Sequence, residues 1–81
     1  MKNIEELVNN YPTKHKEGFV KEEIEELLKQ FPDIHKDKFD DALCGITCMV
    51  INGELVIYHC DIIHALYCGL ENRDLKISEW D

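Results

Sequence analysis

Breakers are few in this chain. Only Pro12 and Pro32 represent proline among 81 residues, and only four glycines occur. That scarcity excludes a Pro- or Gly-rich linker or low-complexity segment. Long apolar runs are also missing, and nothing approaches the ~18 consecutive apolar residues of a membrane span. The start, Met1-Lys2-Asn3-Ile4-Glu5-Glu6, has no apolar signal core, so a cytoplasmic location is expected. Cations are outnumbered, nine Lys and Arg against 17 Asp and Glu, for a net charge of −8. Phosphate contacts need concentrated Lys and Arg, so no direct nucleic-acid binding and no membrane association are expected. Seven of the nine cations lie at or before Lys38, and none recurs until Arg73. No phosphate loop, dinucleotide fingerprint, metalloprotease helix or oxyanion loop occurs, so the chain is read as a non-enzyme without cofactors.

What is present is enough apolar residue, 44%, for a globular protein. The reading is one compact domain over 1–81. Burial alone leaves a chain of this length a thin margin, with roughly 60–65% of its unfolded surface hidden.

One pattern occurs twice, twenty residues apart. Residues 4–19, Ile4-Glu5-Glu6-Leu7 through Tyr11-Pro12 to His15-Lys16-Glu17-Gly18-Phe19, align without a gap on 24–39. The second copy runs from Ile24-Glu25-Glu26-Leu27 through Phe31-Pro32 to His35-Lys36-Asp37-Lys38-Phe39, and eight of sixteen positions are identical. The Ile-Glu-Glu-Leu part is what any amphipathic helix converges on. The Pro-x-x-His-Lys-acid-x-Phe part lies beyond the helix, where periodicity demands nothing. Two copies cannot make a solenoid, so the pattern reads as one helix-plus-turn unit used twice.

Asn3 is a good N-cap, and Ile4, Leu7, Val8 and Tyr11 fall on one face of a first short helix. Pro12 ends it. In the second helix Phe19 staples onto Ile24, and Ile24, Leu27, Leu28 and Phe31 form the stripe. Val20 stands at its cap position, which forgoes ~1 kcal/mol of capping. A third helix is predicted from about Asp37 to Cys44, with Gly45 as a left-handed stop. Ile46 to Ile51, Asn52-Gly53, and Glu54 to His59 read as a hairpin over 46–59 on a type I′ turn. Ile46, Cys48, Val50, Leu55, Ile57 and His59 share one face. Thr47, Met49, Ile51, Glu54, Val56 and Tyr58 share the other. Both faces are apolar, which implies a sheet covered on both sides or a partner. Asp61 caps a fourth helix over 61–70, with Ile62, Ile63, Leu66 and Leu70 inward and Asp61, His64 and Cys68 on another side. Trp80, the one tryptophan, is expected to dock on the body or on a second subunit. The fold class is therefore α+β, three to four short helices around one antiparallel hairpin. Three helices followed by a hairpin have the order of a winged helix, but the acids of its reading helix, Asp37, Asp40 and Asp41, would repel DNA. A two-fold homo-oligomer is expected from the surplus of apolar surface.

Cys44, Cys48, Cys60, His64 and Cys68 raise the question of zinc, which prefers paired Cys-x-x-Cys knuckles in structural sites. These spacings are irregular and the neighbours apolar, so the cysteines read as reduced, small buried hydrophobes, with no metal. A zinc-stabilised structural or regulatory module remains the alternative class. Asp61, His64 and Cys68 on one helix suggest a thiol nucleophile, yet a one-helix triad leaves no room for substrate.

The repeated pairs His15-Lys16 and His35-Lys36, with Lys14, are the cationic spots of an acidic chain. Two such turns could hold an anionic nucleotide. The plainer role for cations just past a helix C-terminus is to satisfy its dipole. Glu22 and Glu25 are the acidic counterparts through which a basic protein would be met.

The runs Tyr11-Pro12-Thr13-Lys14-His15-Lys16-Glu17-Gly18-Phe19, Asp41-Ala42-Leu43-Cys44-Gly45-Ile46-Thr47-Cys48-Met49, Tyr58-His59-Cys60-Asp61, Cys68-Gly69-Leu70-Glu71-Asn72-Arg73 and Glu79-Trp80-Asp81 carry a resemblance across most of the chain. Together with Asn52-Gly53-Glu54 they resemble a group of small, functionally unassigned bacteriophage and prophage proteins. Val20 departs from the Thr expected there, which touches capping rather than function. The resemblance brings no catalytic residues. It implies a phage setting in the host cytoplasm, where small acidic proteins block host defence by binding. The expected function is that of an inhibitor masking a host protein, with sequestration of an anionic nucleotide signal as the alternative. The candidate binding residues are Lys14, His15, Lys16, His35, Lys36, Glu22, Glu25 and Trp80.

Overall fold

The computed structural model describes residues 3–45 and 48–73. Trp80 and its expected docking, and the positions of Ile46 and Thr47 in the hairpin, lie outside the described residues. The elements run α1 (Ile4–Asn9), β1 (Gly18–Phe19), α2 (Lys21–Leu28), α3 (Lys36–Cys44), β2 (Met49–Ile51), β3 (Glu54–Tyr58) and α4 (His59–Glu71). The class is α+β, as the alternation of periods implies. Among the described residues no helix is long and apolar enough to cross a membrane.

Asn3 caps α1, its side-chain oxygen accepting the Glu6 N–H at 3.1 Å. The hairpin turns at Asn52 (φ 51°) and Gly53 (φ 82°), both left-handed as a type I′ turn requires. Its register pairs Ile51 with Glu54, Val50 with Leu55 and Met49 with Val56. The sheet has a third strand that periodicity could not announce. β1 pairs antiparallel with β3, Gly18 opposite Tyr58 and Phe19 opposite Ile57, so the order is β1-β3-β2. The order is thus helix, strand, two helices, two strands and a final helix, α4.

The twenty-residue repeat does not give two copies of one unit. Phe19 falls in β1, whereas its counterpart Phe39 falls in α3. The difference turns on Gly18 against Lys38. A Cβ at Gly18 would lie 2.0 Å from the Ile57 carbonyl oxygen, so only glycine lets this segment reach β3. Lys38 carries a side chain and continues the helix that starts after His35.

Other boundaries move too. β3 ends at Tyr58, and α4 starts at His59 with Tyr58 as its N-cap. Asp61 therefore sits inside the first turn, where its charge meets the helix dipole, instead of capping. Gly45 is not left-handed (φ −90°), and its N–H closes the last turn of α3 on the Ala42 carbonyl at 3.3 Å. α4 is the central element. Ile62, Ile63, Ala65, Leu66, Cys68 and Gly69 are all buried, while Leu70 is only partly so. Gly69 brings α4 against Ile34 and Phe39, and its carbonyl accepts the His35 N–H at 2.9 Å. The uniform burial expected of the cysteines fails, because Cys68 is buried and Cys44, Cys48 and Cys60 are exposed. Cys68 also leaves the side it was expected to share with Asp61 and His64, which are half-buried.

Candidate binding groove

The first His-Lys turn is held from two directions. The Glu23 carboxylate accepts the Lys14 N–H (2.6 Å) and the Val20 N–H (2.9 Å), the second being the only half of a capping box that a valine cap position allows. Thr13 Oγ1 donates to the His15 carbonyl at 2.7 Å. Glu54, at the start of β3, takes Lys14 Nζ at 2.8 Å and lies 3.2 Å from His15 Nε2. His15 is nearly buried, with 10% of its side chain exposed, so this turn presents Lys14 and Lys16 at its surface rather than the imidazole. In the second copy Lys36 Nζ pairs with Asp40 at 3.0 Å, one helical turn on. His35 is exposed and starts α3, with no side-chain cap bond. Lys16 is exposed. The two turns thus differ in conformation, and Lys14 and Lys36 each already face a carboxylate.

Hydrogen bonds from Lys14 and His15 hold the Glu54 carboxyl below its ordinary value of 4.5, against a smaller opposing effect of burial. The same bond to Glu54 raises Lys14, with Glu22 and Glu23 adding to the effect through their charge. A lowered carboxyl contributes stability that is present above 4.5 and lost as pH falls through the folded value. Melting curves over acid to neutral pH should therefore show a smaller rise in Tm with pH for Glu54→Gln than for the parent. Burial pushes Asp61 upward, which works in the opposite direction but equally in both proteins. Parallel profiles would show that the Glu54 contacts carry no linkage.

Glu22 and Glu25 are exposed on α2, and neither side chain makes a hydrogen bond or ion pair among the described residues, although the Glu22 charge acts on Lys14. They flank a groove that sequence reasoning missed. Its α2 wall carries Lys21, Ile24, Glu25 and Leu28, its α3 wall Lys36, Phe39, Asp40 and Leu43, and Leu55 and Ile57 of β3 form the floor. Its volume is about 280 Å³. That is below the range of roughly 300–1,000 Å³ usual for small-molecule sites, and suits a few apolar side chains. A shallower shelf with Val20, Glu22 and Glu54 continues it past Lys21 and Leu55. Leu55 and its cross-strand partner Val50 are 63% and 66% exposed, the most open large apolar side chains among the described residues.

The two walls repeat one pattern. Lys21-x-x-Ile24-Glu25-x-x-Leu28 and Lys36-x-x-Phe39-Asp40-x-x-Leu43 match at fifteen residues' separation, both reading Lys, apolar, acid, Leu. That spacing was the available signal, masked by the resemblance of any two amphipathic helices. On α3, Asp37, Asp40 and Asp41 set three acids against Lys36 and Lys38. Among the described residues no three His, Cys, Asp or Glu side chains are grouped so as to hold a metal ion. In comparison with known proteins, the chain matches no family model, no curated protein and no solved structure.

Proposed function

We propose that this chain is a non-enzymatic binding protein that masks a partner protein through the groove between α2, α3 and β3. The observation that carries the reading is the apolar floor continued by exposed Leu55 and Val50. Apolar surface of that kind, rimmed by charge, is what protein interfaces desolvate. Sequestration of an anionic nucleotide is the weaker reading. Lys14 and Lys36 are engaged by Glu54 and Asp40, and a phosphate would have to displace a carboxylate at each. In the phage setting implied by the resemblance, the partner is a host protein such as a component of defence.

The test is co-purification from host cells with the parent protein and with Leu55→Asp. Leu55 is exposed, so the substitution should leave the melting temperature within a few degrees. A stoichiometric partner should be captured by the parent and reduced at least ~10-fold by the variant, as for a central interface residue. Identical capture by the two proteins would remove the groove as the binding surface.

A further inference from the structure

The sheet ends in two unlike edges. At β1 the chain folds back on its own turn, where His15 bridges to Gly18 and accepts the Gly18 N–H at 3.3 Å. At β2 no strand among the described residues pairs with the outer side of Met49–Ile51. The two-residue turn makes Ile51 and Glu54 a hydrogen-bonded pair, so the next pair, Val50 and Leu55, is a non-hydrogen-bonded one. The N–H and C=O of Val50 therefore point away from β3, toward the open edge. Sheets commonly guard such an edge with a charge, a proline or a bulge. Here the register runs without a bulge from Ile51–Glu54 to Met49–Val56, and the sequence carries neither charge nor proline over 42–53. No other uncharged run in the chain is as long, and Glu54 just beyond it is neutralised by Lys14 at 2.8 Å.

Charge, backbone and side chains select the same occupant. Each copy of the chain carries −8, so two copies repel at their acidic faces and meet at least cost where the surface is neutral. That neutrality offers a charged partner no ion pair. The backbone is self-complementary. About a two-fold axis normal to the sheet, Val50 lies opposite itself, and each copy's N–H donates to the other's carbonyl. Val50 and Leu55 are 66% and 63% exposed and share one face. The same axis sets them in one row with the partner's Val50 and the partner's Leu55, which covers apolar surface left open in a single chain. We infer that β2 pairs antiparallel with the β2 of a second copy, doubling the sheet in the order β1-β3-β2-β2-β3-β1. Leu55 also belongs to the groove floor, so this row joins the two grooves on one face of the dimer. The inference goes beyond the groove reading, which has its own test.

Sedimentation velocity at micromolar concentration should give twice the mass of the 9.5 kDa chain. Added salt should tighten the dimer, because it screens −8 from −8 while the interface holds no ion pair to lose. Val50→Lys sets two like charges face to face at the axis and should weaken dimerisation ~10-fold or more. Val50→Pro deletes an N–H that β3 does not use, and should give a monomer. Should the proline variant fail to fold, the lysine variant decides. Isotope-filtered NOE spectra of mixed labelled and unlabelled protein should link the Met49 Hα to the Hα of the partner's Ile51, the close pair of a register centred on Val50. A monomeric parent, a dimer that Val50→Lys leaves intact, or a dimer loosened by salt would overturn the inference. So would intermolecular contacts in 21–28 and 36–43, which would put the second copy in the groove instead. A monomeric parent whose capture of a cellular partner is still cut by Leu55→Asp overturns the dimer and leaves the groove reading standing. A dimer with the Met49–Ile51 contact whose capture survives Leu55→Asp supports the dimer and removes the groove.

Discussion

Gly18→Ala is expected to lower the melting temperature by roughly 12–24 °C, which corresponds to about 3 kcal/mol in a domain of this size. The added Cβ would lie 2.0 Å from the Ile57 carbonyl oxygen, 2.6 Å from its carbon and 3.0 Å from the Tyr58 Cα. All three are backbone atoms, so no side-chain rotation relieves the clash and β1 must move off β3. Phe19 then moves with it. Phe19 is fully buried, its ring 5.6 Å from Tyr11 and 5.2 Å edge-on from His59. Lifting one two-residue strand therefore loosens the contacts of α1, of the first turn and of the start of α4 together. Gly53→Ala is the proper control. Gly53 has φ 82° but nothing within 4 Å of its Cβ position, so its cost should be near 1 kcal/mol, from backbone strain alone. Thermal melts of the two variants side by side decide the matter. A Gly18→Ala protein that melts within a few degrees of the parent would mean that β1 does not pair with β3 as described.

The same glycine marks where sequence reasoning reached its limit. Local signals were legible. The Asn3 cap, the stripe of α2 and the Asn52-Gly53 turn each depend on residues within one turn or one hairpin, and each is where the pattern places it. β1 was illegible because two residues have no period, and because the repeat suggested that 14–19 and 34–39 would behave alike. One pair of aligned positions, Gly18 and Lys38, decides between strand and helix, and that decision is made by β3, forty residues away. The cationic turns show the same limit. Their residues could be picked out, but not that Glu54 would neutralise Lys14 across the fold. The groove exists only once α2, α3 and β3 are assembled, so its floor residue Leu55 looked like one more apolar position of the hairpin.

Phe39→Ala is expected to cost about 3–5 kcal/mol, the usual range for truncating a buried aromatic. Against a total near 4–12 kcal/mol for a chain of this length, such a loss takes the fold close to its limit. Phe39 is 1% exposed and belongs to both halves of the structure. On one side it meets α4, where a Cβ at Gly69 would come within 3.3 Å of its own Cβ. On the other it lines the groove between Leu43 and Ile24. Removing the ring therefore opens a void between α3 and α4 and widens the groove at its α3 wall. α4 cannot close the void by sliding inward, because Ile34 already crowds Gly69 at 2.6 Å from that Cβ position. Phe39→Leu, which keeps most of the volume, should cost less than about 1.5 kcal/mol and preserve the groove. Urea unfolding followed by circular dichroism gives both numbers, and an unchanged m-value would confirm that the folded state alone is affected. A loss under about 1 kcal/mol for Phe39→Ala would place the ring outside the α3–α4 interface, since a buried aromatic truncation without a cavity penalty does not occur in a packed core. The comparison also separates stability from recognition. The leucine variant should capture the cellular partner almost as the parent does, while the alanine variant should capture less of it even at temperatures where it remains folded.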